Sequence, residues 1–193
     1  LVQTWSGFVY HMTCRGSRFA DGAKRNPNGE VFMKNRETDE WLKQNQRSTR
    51  NFIRKWGHFV KHDALMKPII TPKYDIGFVI KNCSYDLLYE LEPWCSTIYT
   101  DWAWTKYADQ EQENTLFDLS KRVKPFYDEK PNDIIVEFDA KEFTPQQFNY
   151  LAQLPEILSN DKELDLGEFN LGIFTIMIHR IKTYEEELIV CER

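Results

Sequence analysis

Long apolar runs are missing from these 193 residues. None approaches the ~20 consecutive apolar residues that a bilayer-crossing helix needs. Cysteine is scarce: Cys14, Cys83, Cys95 and Cys191 are scattered, with no Cys-x-x-Cys pair. That excludes the usual cysteine-based zinc motifs and a disulfide framework, and leaves reduced thiols of a cytoplasmic protein as the expectation. Cys83 and Cys95 flank one predicted helix, which holds them too far apart to bridge. Phosphate-cradling glycine loops and the Ser/His/Asp orders of hydrolases are also absent. The first residues carry none of the basic, apolar and small-residue regions of a signal peptide. What is present is core material. The chain is 41% hydrophobic and 15% aromatic, enough for a packed interior in one domain or two small ones.

Charge is unevenly placed. Residues 1–61 hold 12 Lys/Arg against 5 Asp/Glu, whereas residues 62–193 hold 13 against 25. A basic segment joined to an acidic one points to two units with different tasks. The basic part suits phosphates. The acidic part is a poor partner for nucleic acid or an anionic membrane, and no nucleic acid is expected among the partners.

Along the chain, residues 4–12 read as a strand through Trp5, Phe8, Val9 and Tyr10. Residues 13–30, with Gly16, Gly22, Pro27 and Gly29, read as a long loop. Residues 31–56 read as mostly helical, with a possible break in the polar stretch Lys43–Arg50. Gly57 fits a C-terminal cap, with Arg54 and Lys55 complementing the helix dipole. Residues 62–73 form a linker punctuated by Pro68 and Pro72. Beyond it, Tyr74–Lys81 is a buried strand. Ser84 caps a helix whose apolar positions are Leu87, Leu88, Leu91 and Cys95, and Pro93 ends or kinks it. Ser96–Asp101 and Asp133–Asp139 are further strands, and Leu116–Val123 is a short helix in a loop. Thr144-Pro145-Gln146-Gln147 is a helix start with cap, proline and glutamine in place. Its apolar face runs through Phe148, Leu151, Leu154, Ile157 and Leu158. Phe169–Ile181 reads as a fourth strand, and Leu188–Cys191 as a short edge strand. The expected class is α+β. Residues 74–193, in the order β-α-β, loop, β-α-β, fit a ferredoxin-like sandwich with an antiparallel sheet. A small Rossmann-like sheet is the alternative.

The most specific stretch lies near the start. Phe8-Val9-Tyr10-His11 ends a strand in histidine, Arg15-Gly16-Ser17-Arg18 follows in a loop, and Asn51-Phe52-Ile53-Arg54-Lys55-Trp56-Gly57 ends a helix. In this order the segments resemble the C-terminal end of the catalytic domain of family 2 glycosyltransferases of the GT-A fold. The resemblance covers about the first third of the chain. It implies transfer of a sugar from a nucleotide sugar to a hydroxyl of a glycan acceptor. It implies His11 as a ligand of Mn2+ or Mg2+. Arg15, Ser17 and Arg18 then face the diphosphate, a role that two guanidiniums, a hydroxyl and backbone N–H groups suit. It also implies a nucleotide-binding half with an Asp-x-Asp-type motif and a general base before Leu1, so residues 1–61 are read as the end of a catalytic domain and 74–193 as an accessory domain. On these grounds the isolated chain is expected to be inactive and its basic segment prone to self-association. The rival reading is a non-catalytic binding or scaffolding module with a basic N-terminal extension.

Other candidates carry less. His58 and His62 lie four apart, but Gly57 breaks the helix that would align them on a metal. His179 falls on the polar face of the last strand. Trp41, Arg54, Lys55 and Trp56 read as structural. Trp94, Tyr99, Trp102, Trp104 and Tyr107 surround Asp101 and Asp109, a composition that suits stacking on sugar rings, although core packing is the favoured reading of Trp94 and Tyr99.

Overall fold

The computed structural model describes residues 38–59, 61–69, 71–101, 104–160 and 166–181. The predicted strand at 4–12, the loop at 13–30 and the edge strand at Leu188–Cys191 lie outside the described residues. The chain divides into two compact units, Leu1–Gln46 and Arg47–Arg193. Helix α1 (Asp39–Trp56) begins in the first and ends in the second. It runs unbroken through the polar stretch Lys43–Arg50. The sequence reading expected a possible break there because no apolar stripe supports a helix at those positions. The polar side chains themselves provide the anchorage in its C-terminal half, as shown below. Gly57 closes α1 at φ +76°, its N–H donating to the Ile53 carbonyl at 2.7 Å, a left-handed cap that glycine adopts without a Cβ penalty. Lys73 Nζ supports the same end by donating to the carbonyls of Arg54 and Lys55 at 2.7 and 3.1 Å.

Two short strands follow, β1 (Lys61–His62) and β2 (Pro68–Ile69), paired antiparallel within the predicted linker. The main body is built on β3 (Ile76–Lys81), α2 (Tyr85–Leu91), β4 (Thr97–Thr100), α3 (Trp104–Glu111), α4 (Leu119–Arg122) and β5 (Val123–Pro125). It is completed by β6 (Ile134–Asp139), α5 (Pro145–Asn160), β7 (Gly167–Leu171) and β8 (Phe174–Ile178). Ser84 caps α2 by accepting from Leu87 N–H at 3.2 Å. Gln147 closes the capping box of α5 by accepting the Thr144 N–H at 2.5 Å. Pro93 sits in a single 3-10 turn, Glu92–Trp94, that ends α2.

The class is α+β: one six-stranded mixed sheet, in the order β5-β4-β3-β6-β8-β7, with helices. The antiparallel sheet of a ferredoxin-like sandwich is not what forms. The pairs β3–β4, β3–β6 and β4–β5 are parallel, and only β6–β8 and β7–β8 are antiparallel. The predicted single strand Phe169–Ile181 is a hairpin instead. Leu171 faces Phe174 across a two-residue turn whose first position, Gly172, has φ +61°. Glycine at that position matches the twist a tight hairpin requires. Leu116–Val123 contributes a helix only at Leu119–Arg122, and the strand β5 follows it directly.

Ile76, Phe78, Ile80, Ile134, Val136 and Phe138 alternate onto one face and share a core with Leu88 and Leu91 of α2 and Leu151, Leu154 and Leu158 of α5. Tyr107 of α3, Leu119 of α4 and Ile53 of α1 join that same core. Val79, Tyr99 and Ile135 point to the opposite face and meet Phe126 and Met177 in a smaller cluster. The described helices therefore lie on one side of the sheet, and the carboxyl ends of its four parallel strands share one edge. Among the described residues, no helix is long and apolar enough to cross a membrane.

Candidate functional site

Two polar constellations stand out. The first is buried. Glu92 is fully inaccessible in the 3-10 turn after α2. Arg54 binds it from α1, with Nη2 at 2.7 Å from Oε2 and Nε at 2.9 Å. Arg122, at the end of α4, places Nε 2.5 Å from Oε1 and uses Nη2 on the carbonyls of Glu92 and Cys95. Arg54 Nη2 also reaches Glu111 of α3 at 2.7 Å. Arg50, one helical turn earlier, meets Glu111 at 3.0 Å, donates to the Tyr107 hydroxyl and the Tyr89 carbonyl, and lies 3.6 Å over the Tyr89 ring. The Tyr107 hydroxyl in turn donates a hydrogen bond to Glu92 Oε2 at 2.9 Å. Arg47 and Asn51 extend the contact to the Asn114 carbonyl at 3.0 and 2.8 Å. Residues 47, 50, 51 and 54 form one face of α1, so this helix end docks through polar side chains.

Burial alone would raise the Glu92 carboxyl; Arg122 and Arg54 outweigh it and hold the group down to about 2. Burial would lower the Arg54 guanidinium, and the hydrogen bonds and charge of Glu92 reverse that, so it stays ionised. Tyr107 is pushed up by burial and by Glu92. Among the described residues no buried side-chain polar atom lacks a partner. The network is satisfied from within, as stable burial of charge requires, so its chemistry is structural. The dipole role expected for Arg54 gives way to this one.

The second constellation is exposed, at the carboxyl ends of the parallel strands. Asn82 follows β3 in the left-handed region at φ 55°. Its side-chain amide donates to both carboxylate oxygens of Asp139, at the end of β6, at 3.0 and 2.9 Å. Its backbone N–H donates to Asp101, after β4, at 2.8 Å. Asp139 also accepts from Lys141 N–H at 2.9 Å. That bond, then the Asn82 amide, holds its carboxyl below the usual range. Lys81 pairs with Glu137 at 2.6 Å, and this bond raises the Lys81 ammonium. From β3 the chain turns towards β4, and from β6 it leaves through α5 for β8 and β7 at the far end of the sheet, with α2 and α5 packed on the same face. Two carboxylates held by one asparagine, Asp139 through its side-chain amide and Asp101 through its backbone N–H, can accept further hydrogen bonds from hydroxyl or amine groups. Sequence reading singled out Asp101 and missed Asn82 and Asp139, because only strand pairing brings positions 82, 101 and 139 together.

His11, Arg15, Ser17 and Arg18 lie outside the described residues, and so do Cys14, Cys191, Trp102 and the side chain of Trp104. Among the described residues, no group of three or more His, Cys, Asp or Glu side chains gathers to hold a metal ion. His58 is buried, its ring between the Phe59 carbonyl at 2.6 Å and the Thr71 N–H at 3.4 Å, while His62 is exposed. His179 is exposed as expected. Trp94 and Tyr99 are core residues, and Tyr107 belongs to the charge network, so these three rings do not form a sugar-stacking platform. Cys83 and Cys95 are buried free thiols, both raised by burial, Cys83 to about 12. No family model, curated protein or solved structure matches the chain.

Proposed function

We propose that the chain is the C-terminal portion of a family 2-like GT-A glycosyltransferase, with the sheet-bearing unit as its accessory domain. The carrying observation is the ordered series of His11, Arg15-Gly16-Ser17-Arg18 and Arg54-Lys55-Trp56-Gly57. The closure of α1 at Gly57 supports it. In this reading residues 1–57 are a GT-A-like strand and helix segment. The centre of the following sheet, β5-β4-β3-β6, has the 3-2-1-4 strand order of Rossmann-like sheets, which supports the small Rossmann-like alternative in strand order alone, since the described helices lie on one face.

The reaction is transfer of a sugar from a nucleotide sugar to a hydroxyl of a glycan acceptor, in the cytoplasm. Arg15 and Arg18 neutralise charge developing on the departing diphosphate, and Ser17 adds a hydrogen bond. His11 is the residue assigned to Mn2+ or Mg2+. The general base is a carboxylate of the preceding half. The test is a comparison of His11→Ala and Arg18→Ala in the full natural polypeptide, with donor titrations in the presence and absence of Mn2+ beside thermal melts. Arg18→Ala should weaken donor binding by about 1.5–3 kcal/mol, the usual scale for a hydrogen bond to a charged group. His11→Ala should remove metal-dependent turnover while leaving the melt in place. Equal losses of stability and turnover in His11→Ala, with no effect of Arg18→Ala, would sink the reading.

A second reading is a non-catalytic binding module. The exposed Asn82–Asp101–Asp139 group at the strand ends favours it. The upstream reading frame separates the two: without a nucleotide-binding half before Leu1, only the module remains.

A further inference from the structure

The two edges of the main sheet differ. β5 is three residues long, carries Lys124 and ends in Pro125, all devices that stop a strand from recruiting another. β7, Gly167-Glu168-Phe169-Asn170-Leu171, is five residues long and has neither proline nor lysine. Among the described residues nothing pairs with its outer side. Leu171 and Phe174 close a two-residue turn and so exchange hydrogen bonds with each other. By alternation Phe169 and Gly167 also bond to β8, and Glu168 and Asn170 turn their N–H and C=O groups outward. The side chains follow the complementary pattern. Glu168 and Asn170 are exposed, whereas Phe169 and Leu171 are half-buried on the margin of the core. Leu166, just before the strand, is 64% exposed.

We propose that β7 is a dimerisation edge whose occupant is β7 of a second copy, paired antiparallel about a two-fold axis at Phe169. Only a self-pairing that meets three conditions at once is acceptable, and this register meets them. Glu168 faces the partner's Asn170, so the outward-turned backbone groups exchange hydrogen bonds at both ends of the pair. The neighbouring register, which sets Glu168 against itself, brings like charges together. Phe169 faces its own copy at a non-hydrogen-bonded position, where side chains approach most closely. The half-buried margin of each core then abuts its counterpart, and the six strands of each copy join in a twelve-stranded sheet. Self-complementarity of one patch is what a two-fold interface demands. The inference is independent of the glycosyltransferase reading.

Light scattering on the purified 193-residue chain, across a dilution series, reads the outcome. The wild type should be a dimer that dissociates on dilution. Asn170→Pro removes an outward N–H and the side-chain bond that Asn170 accepts from Thr175, and leaves the backbone bonds to β8, as edge prolines do. It should be a monomer with unchanged circular dichroism. Asn170→Lys, which adds charge to the edge without touching the backbone, should be a monomer as well and covers a failure of the proline variant to fold. On a Cys14→Ser/Cys191→Ser background, Phe169→Cys should form an intermolecular disulfide under mild oxidation, and Glu168→Cys should not. A wild type that is monomeric at every concentration overturns the proposal, including the case where its own Leu188–Cys191 segment protects the edge amides from exchange. A dimer indifferent to Asn170→Pro and Asn170→Lys overturns it, and so does a cross-link at position 168 in place of 169.

Discussion

At the scale of single residues, Glu92 does most to decide how this molecule holds together. Three guanidiniums, of Arg54, Arg122 and Arg50, face its carboxylate, so removing the anion harms more than removing any one cation. Breaking a buried pair by taking one partner typically costs about 3–5 kcal/mol, because a charge is left in low dielectric. Glu92→Gln should fall at the upper end. Arg54→Met should fall at the lower end, since Arg122 still neutralises Glu92. Urea unfolding of the full chain checks the order, and a near-neutral Glu92→Gln would show that the network is dispensable. The acid limb follows from the same group. Its folded value, about 2, lies below the ordinary 4.5, so the folded state releases this proton more readily than the unfolded chain. Its stabilisation is whole above about pH 4.5 and is lost as the pH falls from there to about 2. Stability measured over that window should drop in the wild type and stay flatter in Glu92→Gln. The signal for Glu92 was present in the sequence: positions 88, 91, 92 and 95 form one helical stripe, and a carboxylate on an apolar stripe needs a buried cation. Which cation could not be read, because Arg54 lies 38 positions earlier and on another element.

At the scale of elements, what was legible was what local chemistry writes. The cap at Ser84, the capping box at Thr144–Gln147 and the buried alternation of Phe174, Ile176 and Ile178 all appear where periodicity and capping rules place them. Strand direction was not legible. A β-α-β order fits parallel or antiparallel neighbours until the pairing partners are known, and β3 chooses β4 and β6 by long-range packing. The hairpin at Gly172 was hidden by flanking residues of high strand propensity, Leu171, Ile173 and Phe174. Gly77, inside β3, is another such case. A Cβ there would lie 2.5 Å from the Asn132 side-chain oxygen and 2.9 Å from its Cγ. That oxygen accepts the Tyr99 hydroxyl at 2.9 Å, and the Asn132 amide donates to Asp75 at 2.6 Å. Gly77→Ala must therefore displace Asn132 or the strand, at a cost of about 1–3 kcal/mol by overpacking. The same variant combined with Asn132→Ala should recover part of the loss, because the obstruction is gone. Thermal melts of the two single variants and the double variant measure that coupling.

At the scale of the whole molecule, the question is where the autonomous unit begins. The charge break near residue 61 and the prolines at 68 and 72 place a boundary before residue 74, and on that reading residues 74–193 fold without help. The compact unit runs instead from Arg47. The difference lies in the last turns of α1. Residues 47–56 carry basic and polar side chains, which reads as a solvated helix end, yet Arg54 is 1% exposed and Ile53 is 3% exposed. A chain cut to residues 74–193 keeps Arg122 on Glu92. It leaves Glu111 without either of its guanidiniums, leaves the Tyr89 carbonyl and ring uncovered, and opens the core at Ile53. A chain cut to residues 47–193 keeps every one of these contacts. We therefore expect residues 47–193 to unfold in one cooperative transition, and residues 74–193 to be less stable by at least the ~3–5 kcal/mol of a broken buried pair. On a domain whose total stability is only about 5–15 kcal/mol, that loss is large enough to leave the shorter fragment partly unfolded. Denaturant titrations of the two fragments, followed by tryptophan fluorescence and far-ultraviolet circular dichroism, give the comparison. Equal midpoints and slopes would mean that α1 is a passenger on an already complete sheet domain. A shortfall in the shorter fragment that is relieved by adding a peptide of residues 47–57 would show the Arg50 and Arg54 face of α1 acting as a docked element.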